Sequence, residues 1–156
     1  MKSEPAIEFI ARGVCVVGGR LMLCRRKGAD YSYLPGGHIE WGEGARASLR
    51  RELREELGRA AVVGRFVGAV ENRYTKRGGA EVCELNLIFE FRIRGLRSDA
   101  PPPSAEERIG FEWLPLRRLA RSDLEPRLLR RWLPRALARR ADAAWGSNDP
   151  GEPSRP

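Results

Sequence analysis

The sequence has little of what disulfide scaffolds, zinc sites and membrane spans are made from. Its three cysteines, Cys15, Cys24 and Cys83, are odd in number and form no CxxC pair. They indicate reduced, mostly buried thiols and argue against a zinc site. The N-terminal residues MKSEPAIEFIARG lack the apolar segment of a signal peptide, and no apolar run is long enough to span a bilayer. We therefore expect a cytoplasmic protein without a membrane partner.

Acidic residues are fewer than basic ones, at 21 against 29, which gives a net charge of +8. The 156 residues suffice for one domain with a real core, and a composition of 42% hydrophobic and 32% charged residues is typical of soluble globular proteins. The excess charge is mostly arginine, which binds phosphate through paired hydrogen bonds and so favours an anionic substrate or partner. An arginine-rich genome would give the same bias, so the net charge alone does not show that the substrate or partner is anionic.

The central feature of the sequence is the segment 36–58, GGHIEWGEGARASLRRELREELG. Glycines open it, and a helical pattern follows over about residues 45–57. In a helix, Glu52, Glu55 and Glu56 are three and four residues apart and share one face. Three leucines at intervals of four occupy the neighbouring face: Leu49, Leu53 and Leu57. The pattern predicts a helix that packs on a core through leucine and presents carboxylates on an open side.

These carboxylates fit two interpretations. A solvated, salt-bridged helix explains part of the pattern, because Arg51 and Glu55 form a favourable pair four residues apart. Glu52 and Glu56 have the same spacing and repel each other. A divalent cation such as Mg²⁺ would reverse that repulsion, since it binds carboxylate oxygens together with substrate phosphates. Two arginines of the same helix are also a like-charged pair, so charge spacing alone leaves both interpretations open.

The fixed positions of this segment resemble the signature of the Nudix hydrolases. They are Gly37, Glu43, the run Arg51-Glu52-Leu53, the pair Glu55-Glu56, and Gly58. Arg59 departs from the pattern, because the family usually has an aliphatic residue at that position. Later in the chain, GFEWLPL resembles the strand that precedes the closing helix of the family, so the resemblance covers about residues 7–133.

The resemblance implies a site, a cofactor and a reaction. Mg²⁺ or Mn²⁺ would be bound by the three carboxylates, which would also be the catalytic residues: Glu52, Glu55 and Glu56. The carbonyl of Gly37 would add a ligand, and Glu43 and Arg51 would hold the loop against the helix. The implied reaction is hydrolysis of a nucleoside diphosphate linked to another moiety, a phosphoanhydride cleavage in which a metal activates water.

Further residues are candidates for the substrate pocket. Three arginines could reach phosphates: Arg12, Arg25 and Arg26. Three aromatic residues could stack on a base: Tyr31, Tyr33 and Trp41. His38, in the glycine loop, could touch substrate or support the loop. Three acids outside the segment are candidates for the general base: Glu84, Glu106 and Glu107. Each of these residues also fits an ordinary surface or core position.

Apolar patterns predict strands along the rest of the chain. Gly18-Gly19 indicates a hairpin turn, and a short strand at residues 33–35 is expected to lead into the glycine loop. Three later segments are strand-like: residues 60–74, 82–93 and 108–114. Alternation within the second predicts a half-buried antiparallel strand. Together with the resemblance, this predicts an α/β fold, a Nudix-like α/β/α sandwich with a mixed β-sheet, as a single domain over residues 1–140. Residues 141–156 are expected to form a disordered tail.

The C-terminal segment, residues 115–140, combines nine arginines with an apolar stripe at helical spacing: Leu128, Leu129, Trp132, Leu133, Ala136 and Leu137. This predicts an amphipathic helix docked on the sheet with a solvated basic back. A contact with nucleic acid or another acidic surface is the alternative. Pro126 suits a first turn, and Pro134 predicts a kink or a restart of the helix.

Two classes of function follow. The first is a metal-dependent pyrophosphohydrolase that acts on a nucleotide derivative, as a monomer or a homodimer, with RNA possible but not required. The second is a non-catalytic Nudix-like domain that binds a nucleotide or RNA without turnover. Such a domain is expected to lose the acidic positions of the signature. All of them are present here, which favours the enzyme.

Overall fold

The computed structural model of the protein describes residues 6–140 and residue 143. Within these residues the strands and α-helices follow one another in this order: β1 (Ile7–Val14), β2 (Val16–Val17), β3 (Arg20–Arg26), β4 (Gly36–His38), α1 (Ala45–Leu57), β5 (Val62–Thr75), β6 (Glu81–Arg92), β7 (Ile109–Pro115) and α2 (Leu129–Ala138). A 3₁₀ helix, Leu116–Arg121, connects the last strand to the segment before α2.

The strands form one mixed sheet and one smaller antiparallel sheet. The mixed sheet has the order β4-β1-β6-β5, in which β1 runs parallel to β6 and the other neighbours are antiparallel. The smaller sheet has the order β2-β3-β7. The predicted α/β fold with a mixed sheet is confirmed.

The helices cover opposite sides of the sheets, which makes the fold a sandwich. On one side the leucines of α1 pack with Phe89 and Phe91 of β6 and with Met22 of β3. On the other side Leu129 and Leu133 of α2 pack with a second set of apolar side chains: Val14, Leu21, Leu23, Val67, Val70 and Ile88. Each amphipathic helix thus buries its apolar face on its own core.

Strand β6 differs from its prediction because it lies in the middle of the mixed sheet. It is antiparallel to β5 but parallel to β1. Phe89 is buried on the α1 side and Ile88 on the α2 side, so both faces of the strand are covered. The predicted antiparallel pairing is confirmed against β5, but the prediction of a half-buried strand is wrong, because a second core covers the face that the sequence pattern assigned to solvent.

Helix α1 begins and ends where its sequence predicts. Its three leucines are fully buried, as expected for the packed face: Leu49, Leu53 and Leu57. The helix ends at Gly58, which adopts a left-handed conformation with φ of 67° and donates its N–H to the carbonyl of Arg54 at 2.9 Å. A residue with a side chain is strained in that conformation, so glycine makes this a sharp stop.

The predicted turns and strands are mostly confirmed. Gly18 and Gly19, with φ of 56° and 71°, form the two-residue turn between β2 and β3. Strands β5 and β6 are joined by the expected turn after Thr75. The short strand expected at residues 33–35 is misplaced. Tyr33 makes only an isolated bridge to Cys24, and the strand that pairs with β1 is formed by the glycine loop itself, at Gly36–His38.

Helix α2 docks through its apolar stripe as predicted. Leu129, Leu133 and Ala136 are buried, whereas Leu128 lies outside the core and is exposed. The helix runs without interruption through Pro134, so it does not restart there. Pro126 lies three residues before the helix and therefore not in its first turn.

No helix in the described part of the chain is long and apolar enough to cross a bilayer. The prediction of a tail at residues 141–156 falls, apart from residue 143, outside the described residues.

Candidate active site

Helix α1 presents two of its carboxylates to a cleft of about 790 Å³. Glu52 and Glu56 line this cleft together with residues of β1, β4, β5 and β6. Glu55 lies on the same helix face, but its side chain is 59% exposed and is not part of the lining. The structure therefore brings Glu52 and Glu56 together in the cleft and leaves Glu55 at the surface.

Glu56 is a buried carboxylate with a single described donor. It is 5% exposed, and its Oε2 accepts a hydrogen bond from the Gly36 N–H at 3.2 Å. Burial raises the pKa of Glu56 from 4.5 to about 7, and the charge of Glu52 acts in the same direction. A buried carboxylate that is so poorly solvated is suited to a cation, because a positive charge would compensate its lost hydration.

The glycine loop fits closely over Glu52. A side-chain carbon at Gly37 would lie 2.5 Å from the carboxyl carbon of Glu52, so any other residue there would displace that carboxylate. Both the Gly37 backbone and the Glu52 carboxylate thus occupy one small space beside the cleft. The local reason is the pairing of Gly36–His38 with β1, which holds the loop against the helix.

Arg51 ties the loop to the helix. Its guanidinium donates to both carboxylate oxygens of Glu43, at 2.8 and 2.9 Å, and to the His38 carbonyl at 3.2 Å. It also donates to Glu52 at 2.8 Å and lies 3.5 Å from Glu55. The hydrogen bonds from Arg51 lower the pKa of Glu43, and those acceptors raise the pKa of Arg51. The contact that the resemblance implied between Glu43 and Arg51 is present in the structure.

The carboxylates at the cleft have the chemistry of metal ligands. The described residues contain no group of three or more His, Cys, Asp or Glu side chains arranged as a metal cluster. The guanidinium of Arg51 forms ion pairs with Glu52 and Glu55 and neutralises their carboxylates. The buried Glu56 carboxylate and the close fit of Gly37 over Glu52 nevertheless supply hard oxygen donors, which are the ligands that Mg²⁺ prefers. These residues fit a divalent cation.

Arg12 lines the cleft. Its Nη1 donates to the carbonyls of Leu34 and Gly36 at 3.1 and 3.0 Å, and its guanidinium lies 5.5 Å from the ring centre of Tyr33. Burial raises the pKa of Tyr33, so its phenol stays protonated. Arg26 also lines the cleft. The site thus combines carboxylates at one wall with arginines beside them.

A family model described as NUDIX domain matches residues 8–136. The chain belongs to the Nudix family. The segment 36–58 is its Nudix box, and the carboxylates and glycine loop described above are the positions through which the sequence resembles the family. Enzymes of this family act on nucleotide derivatives and generally use divalent metal ions.

Individual relatives are named for different activities. An isopentenyl-diphosphate Delta-isomerase of Cereibacter sphaeroides is 32% identical over 152 residues, which span 92% of this chain and 84% of that protein. A MutT protein from Methanosarcina mazei superposes with a TM-score of 0.66 at 21% identity, over 88% of this chain and 97% of that one. A UDP-X diphosphatase gives 0.63 at 17% identity, over 88% and 66%. The two structures show a shared Nudix fold.

Two residues predicted for the Nudix substrate pocket lie elsewhere. Arg25 points away from the cleft and donates to Glu112 and Asp123, at 2.9 and 2.6 Å. Trp41 is fully exposed and does not line the cleft. Strand alternation explains the first difference, since Arg25 and its neighbour Arg26 must face opposite sides of β3.

The other predicted pocket residues line the cleft: Tyr31, Tyr33 and His38. The His38 ring is largely exposed and contacts Glu8 at 2.9 Å, while its carbonyl accepts hydrogen bonds from Ser48 and Arg51. His38 thus combines a position at the cleft with support of the Nudix loop.

Of the three acids outside the Nudix box, Glu84 and Glu106 line the cleft and Glu107 does not. The charge of Glu106 contributes to the raised pKa of Glu56. The loop that carries Glu106 is tied to α1, because the Ala105 N–H donates to the Glu56 carbonyl at 2.8 Å.

Sequence reasoning missed several residues that line the Nudix cleft: Glu8, Asn72, Tyr74, Lys76 and Asn86. Asn86 is only 2% exposed, which the alternation of β6 did not indicate. The polar residue itself was a signal, since a buried amide needs hydrogen-bond partners. Its partners are Glu84, two residues earlier on the same strand, at 3.3 Å, and Arg12 of β1, at 3.5 Å.

Proposed function

We propose that the protein is a divalent-metal-dependent pyrophosphohydrolase. Its reaction is the cleavage of a phosphoanhydride bond in a nucleoside diphosphate linked to another moiety. The observation that supports this best is the buried Glu56 carboxylate beside Glu52, under a glycine loop and next to Arg12. Such an arrangement suits a cation and a row of phosphates rather than a neutral ligand.

The residues have separate parts in this proposal. Glu52, Glu55 and Glu56, with the Gly37 carbonyl, would hold Mg²⁺ or Mn²⁺. The bound metal would supply polarised phosphoryl oxygens and a water of lowered pKa. Arg12 and Arg26 would bind and orient the phosphates. Glu43, through Arg51, would keep the loop and the helix in register.

A panel of substrates tests the proposal. Purified protein is incubated with nucleoside triphosphates, nucleotide sugars, dinucleoside polyphosphates and capped RNA, each with Mg²⁺ or Mn²⁺ and with excess chelator. We expect hydrolysis of at least one nucleotide derivative, and only with the metal. Undiminished turnover in chelator would overturn the metal dependence, and no hydrolysis of any compound would overturn the proposed activity.

The 32% identical relative supports a second candidate, an isomerase that acts on isopentenyl diphosphate. Its named substrate is also a diphosphate, so the same carboxylates and arginines would suit its anionic part. Isopentenyl diphosphate with Mg²⁺ separates the two activities, because isomerisation leaves the mass of the substrate unchanged and hydrolysis adds water. A rearranged alkene in the NMR spectrum would favour the isomerase.

The remaining inferences follow from the same function. We infer a cytoplasmic enzyme with a nucleotide derivative as substrate and without a requirement for RNA, as a monomer or a homodimer. Sedimentation at several concentrations measures the oligomeric state.

A further inference from the structure

Strands β5 and β6 carry a hydrogen-bonded group of polar side chains inside the cleft. We call it the polar cluster, and it consists of Asn72, Tyr74, Glu84 and Asn86. None of them belongs to the Nudix box. Asn86 is only 2% exposed, and its position on β6 needs a physical reason, because a polar side chain costs free energy when it leaves water.

Every described contact within the polar cluster points toward Glu84. Asn72 and Asn86 donate their amide N–H groups to Glu84 Oε2, at 3.0 and 3.3 Å. Tyr74 donates its hydroxyl to Glu84 Oε1 at 3.4 Å. Arg12 Nε in turn donates to Asn86 Oδ1 at 3.5 Å. The amides are thereby held in one orientation.

This arrangement leaves two oxygen acceptors open to the cleft. Among the described residues, nothing donates to Asn72 Oδ1, and Glu84 Oε1 receives only the long contact from Tyr74. Burial and the charge of Glu84 raise the pKa of Tyr74, so its hydroxyl remains a donor to that carboxylate. Asn72 Oδ1 and Glu84 Oε1, on neighbouring strands, can therefore accept hydrogen bonds from a ligand.

Arg12 connects the polar cluster to the Nudix box. Its Nε contacts Asn86, its Nη1 contacts the Gly36 carbonyl at 3.0 Å, and Gly36 donates its N–H to Glu56. Its Nη2 donates to no residue that the structure describes. A ligand that reached from the box to the polar cluster would pass this guanidinium, which is suited to a phosphate.

We propose that the polar cluster is the subsite for the non-phosphate part of the substrate, and that it selects a group with two adjacent hydrogen-bond donors. The proposal rests on the proposed function, since it assumes that the phosphates lie at the Nudix box. Two parts of a nucleotide offer such donors: the N1–H and N2–H₂ edge of guanine, and the 2′,3′-diol of ribose. The pairing edges of adenine, cytosine and uracil each present one donor group beside an acceptor, which would face an acceptor of the cluster.

A binding measurement tests the subsite separately from turnover. Calorimetry with Mg²⁺ compares the α,β-methylene diphosphates of guanosine, 2′-deoxyguanosine, inosine and adenosine, which cannot be cleaved at the bridged bond. We expect guanosine to bind about tenfold tighter than at least one analogue that lacks a donor. Weaker inosine and adenosine identify the guanine edge, and a weaker deoxynucleotide identifies the diol. Equal affinity for all four would overturn the proposal.

A variant assigns the selectivity to Glu84. Glu84→Gln keeps the shape of the side chain but replaces one acceptor oxygen by a donor, so the preferred compound should lose about tenfold in affinity and the preference should disappear. Glu71→Gln is the control, because Glu71 is exposed on β5 and lies outside the cleft. If Glu84→Gln lowers only the melting temperature and keeps the preference, the polar cluster is structural and the proposal fails.

The subsite and the proposed reaction fail in different ways. Selective binding that Glu84→Gln abolishes, without hydrolysis of any nucleotide, would leave the subsite in place and remove the hydrolase. Hydrolysis without selectivity, unchanged in Glu84→Gln, would keep the hydrolase and remove the subsite.

Discussion

The two helices of this fold are built alike and differ in what surrounds their charged faces. Both bury leucines on the sheet, such as Leu49 in α1 and Leu133 in α2. Helix α1 turns its carboxylates toward a glycine loop that fits closely over Glu52. Helix α2 turns Arg131 and Arg135 to solvent, where neither forms an ion pair with any residue that the structure describes. A charged helix face becomes a candidate site where backbone closes over it, and charge density alone does not create one.

Substitutions on the carboxylate face of α1 should have the largest effect, and this effect is on turnover. Glu52→Gln, Glu55→Gln and Glu56→Gln each remove one charge at constant size, and we expect turnover with Mg²⁺ to fall by about 10²–10³ because the cation and the phosphates lose a neutralising partner. For Glu52→Gln and Glu55→Gln the melting temperature without metal should change little, since helix propensity is retained, whereas Glu56→Gln should be more stable than the wild type above about pH 7, because it removes a buried charge. Rates and melting curves for the three variants, with Glu71→Gln as control, check this. Turnover near that of the control would mean that the face is a solvated helix.

The apolar faces of the two helices should be equally important for stability. Leu49→Ala and Leu133→Ala each remove a fully buried side chain, and we expect each to lower the free energy of unfolding by about 2–5 kcal/mol. Urea denaturation measures both. A loss confined to Leu49→Ala would show that α2 is not part of the cooperative core, and the two helices would then differ in packing as well as in charge.

The buried carboxylate of α1 should give the metal-free protein a characteristic pH dependence. Because burial raises the pKa of Glu56 from 4.5 to about 7, its contribution to stability is full below pH 4.5 and is lost as the pH rises through 7. The difference corresponds to about 3 kcal/mol. In chelator, the wild type should lose stability relative to Glu56→Gln between about pH 5 and about pH 8.

Other acids do not account for that window. The pKa values of Glu43 and Asp123 are lowered, so their contributions are lost only as the pH falls below the usual carboxyl range. Parallel curves for the wild type and Glu56→Gln would show that Glu56 is better solvated than its burial indicates.

Substitutions on the exposed basic face of α2 should have the smallest effect on stability and turnover. Arg131→Ala combined with Arg135→Ala removes two exposed charges, and we expect the free energy of unfolding to stay within about 0.5 kcal/mol for each position. Turnover of a mononucleotide derivative should not change. Urea denaturation and steady-state rates measure both, and a titration with single-stranded RNA completes the comparison. A clear loss of RNA affinity in the double variant would make this face an interaction surface.

The sequence could predict α1 because its signals are local. The leucine spacing and Gly58 lie within a single helix, and both have the structural role that their positions indicated. The contact between Arg51 and Glu43 spans only eight residues, but only the resemblance to the family indicated it. Such features depend on helix periodicity and backbone conformation, which are properties of short segments.

The polar cluster could not be predicted in the same way, because its members meet only through strand pairing. The register of β5 against β6 includes irregularities between Val63 and Gly68, and these decide which residue lies opposite Glu84. A shift by one residue would turn Asn72 to the other face of the sheet. The same limitation explains why Arg25 was wrongly predicted to line the cleft. The direction of its side chain depends on which side of β3 faces the cleft, and the sequence does not show this.

Two of the four tryptophans, each kept as the single tryptophan of a variant, would give this fold separate optical reporters. Trp41 is fully exposed on the loop between Gly37 and Glu43, so its emission should be red-shifted and open to quenching by acrylamide. Trp132 is packed on Gly68, where its ring leaves no room for a side chain, so its emission should be blue-shifted and protected. The first therefore reports on the loop that covers the carboxylates, and the second on the docking of α2.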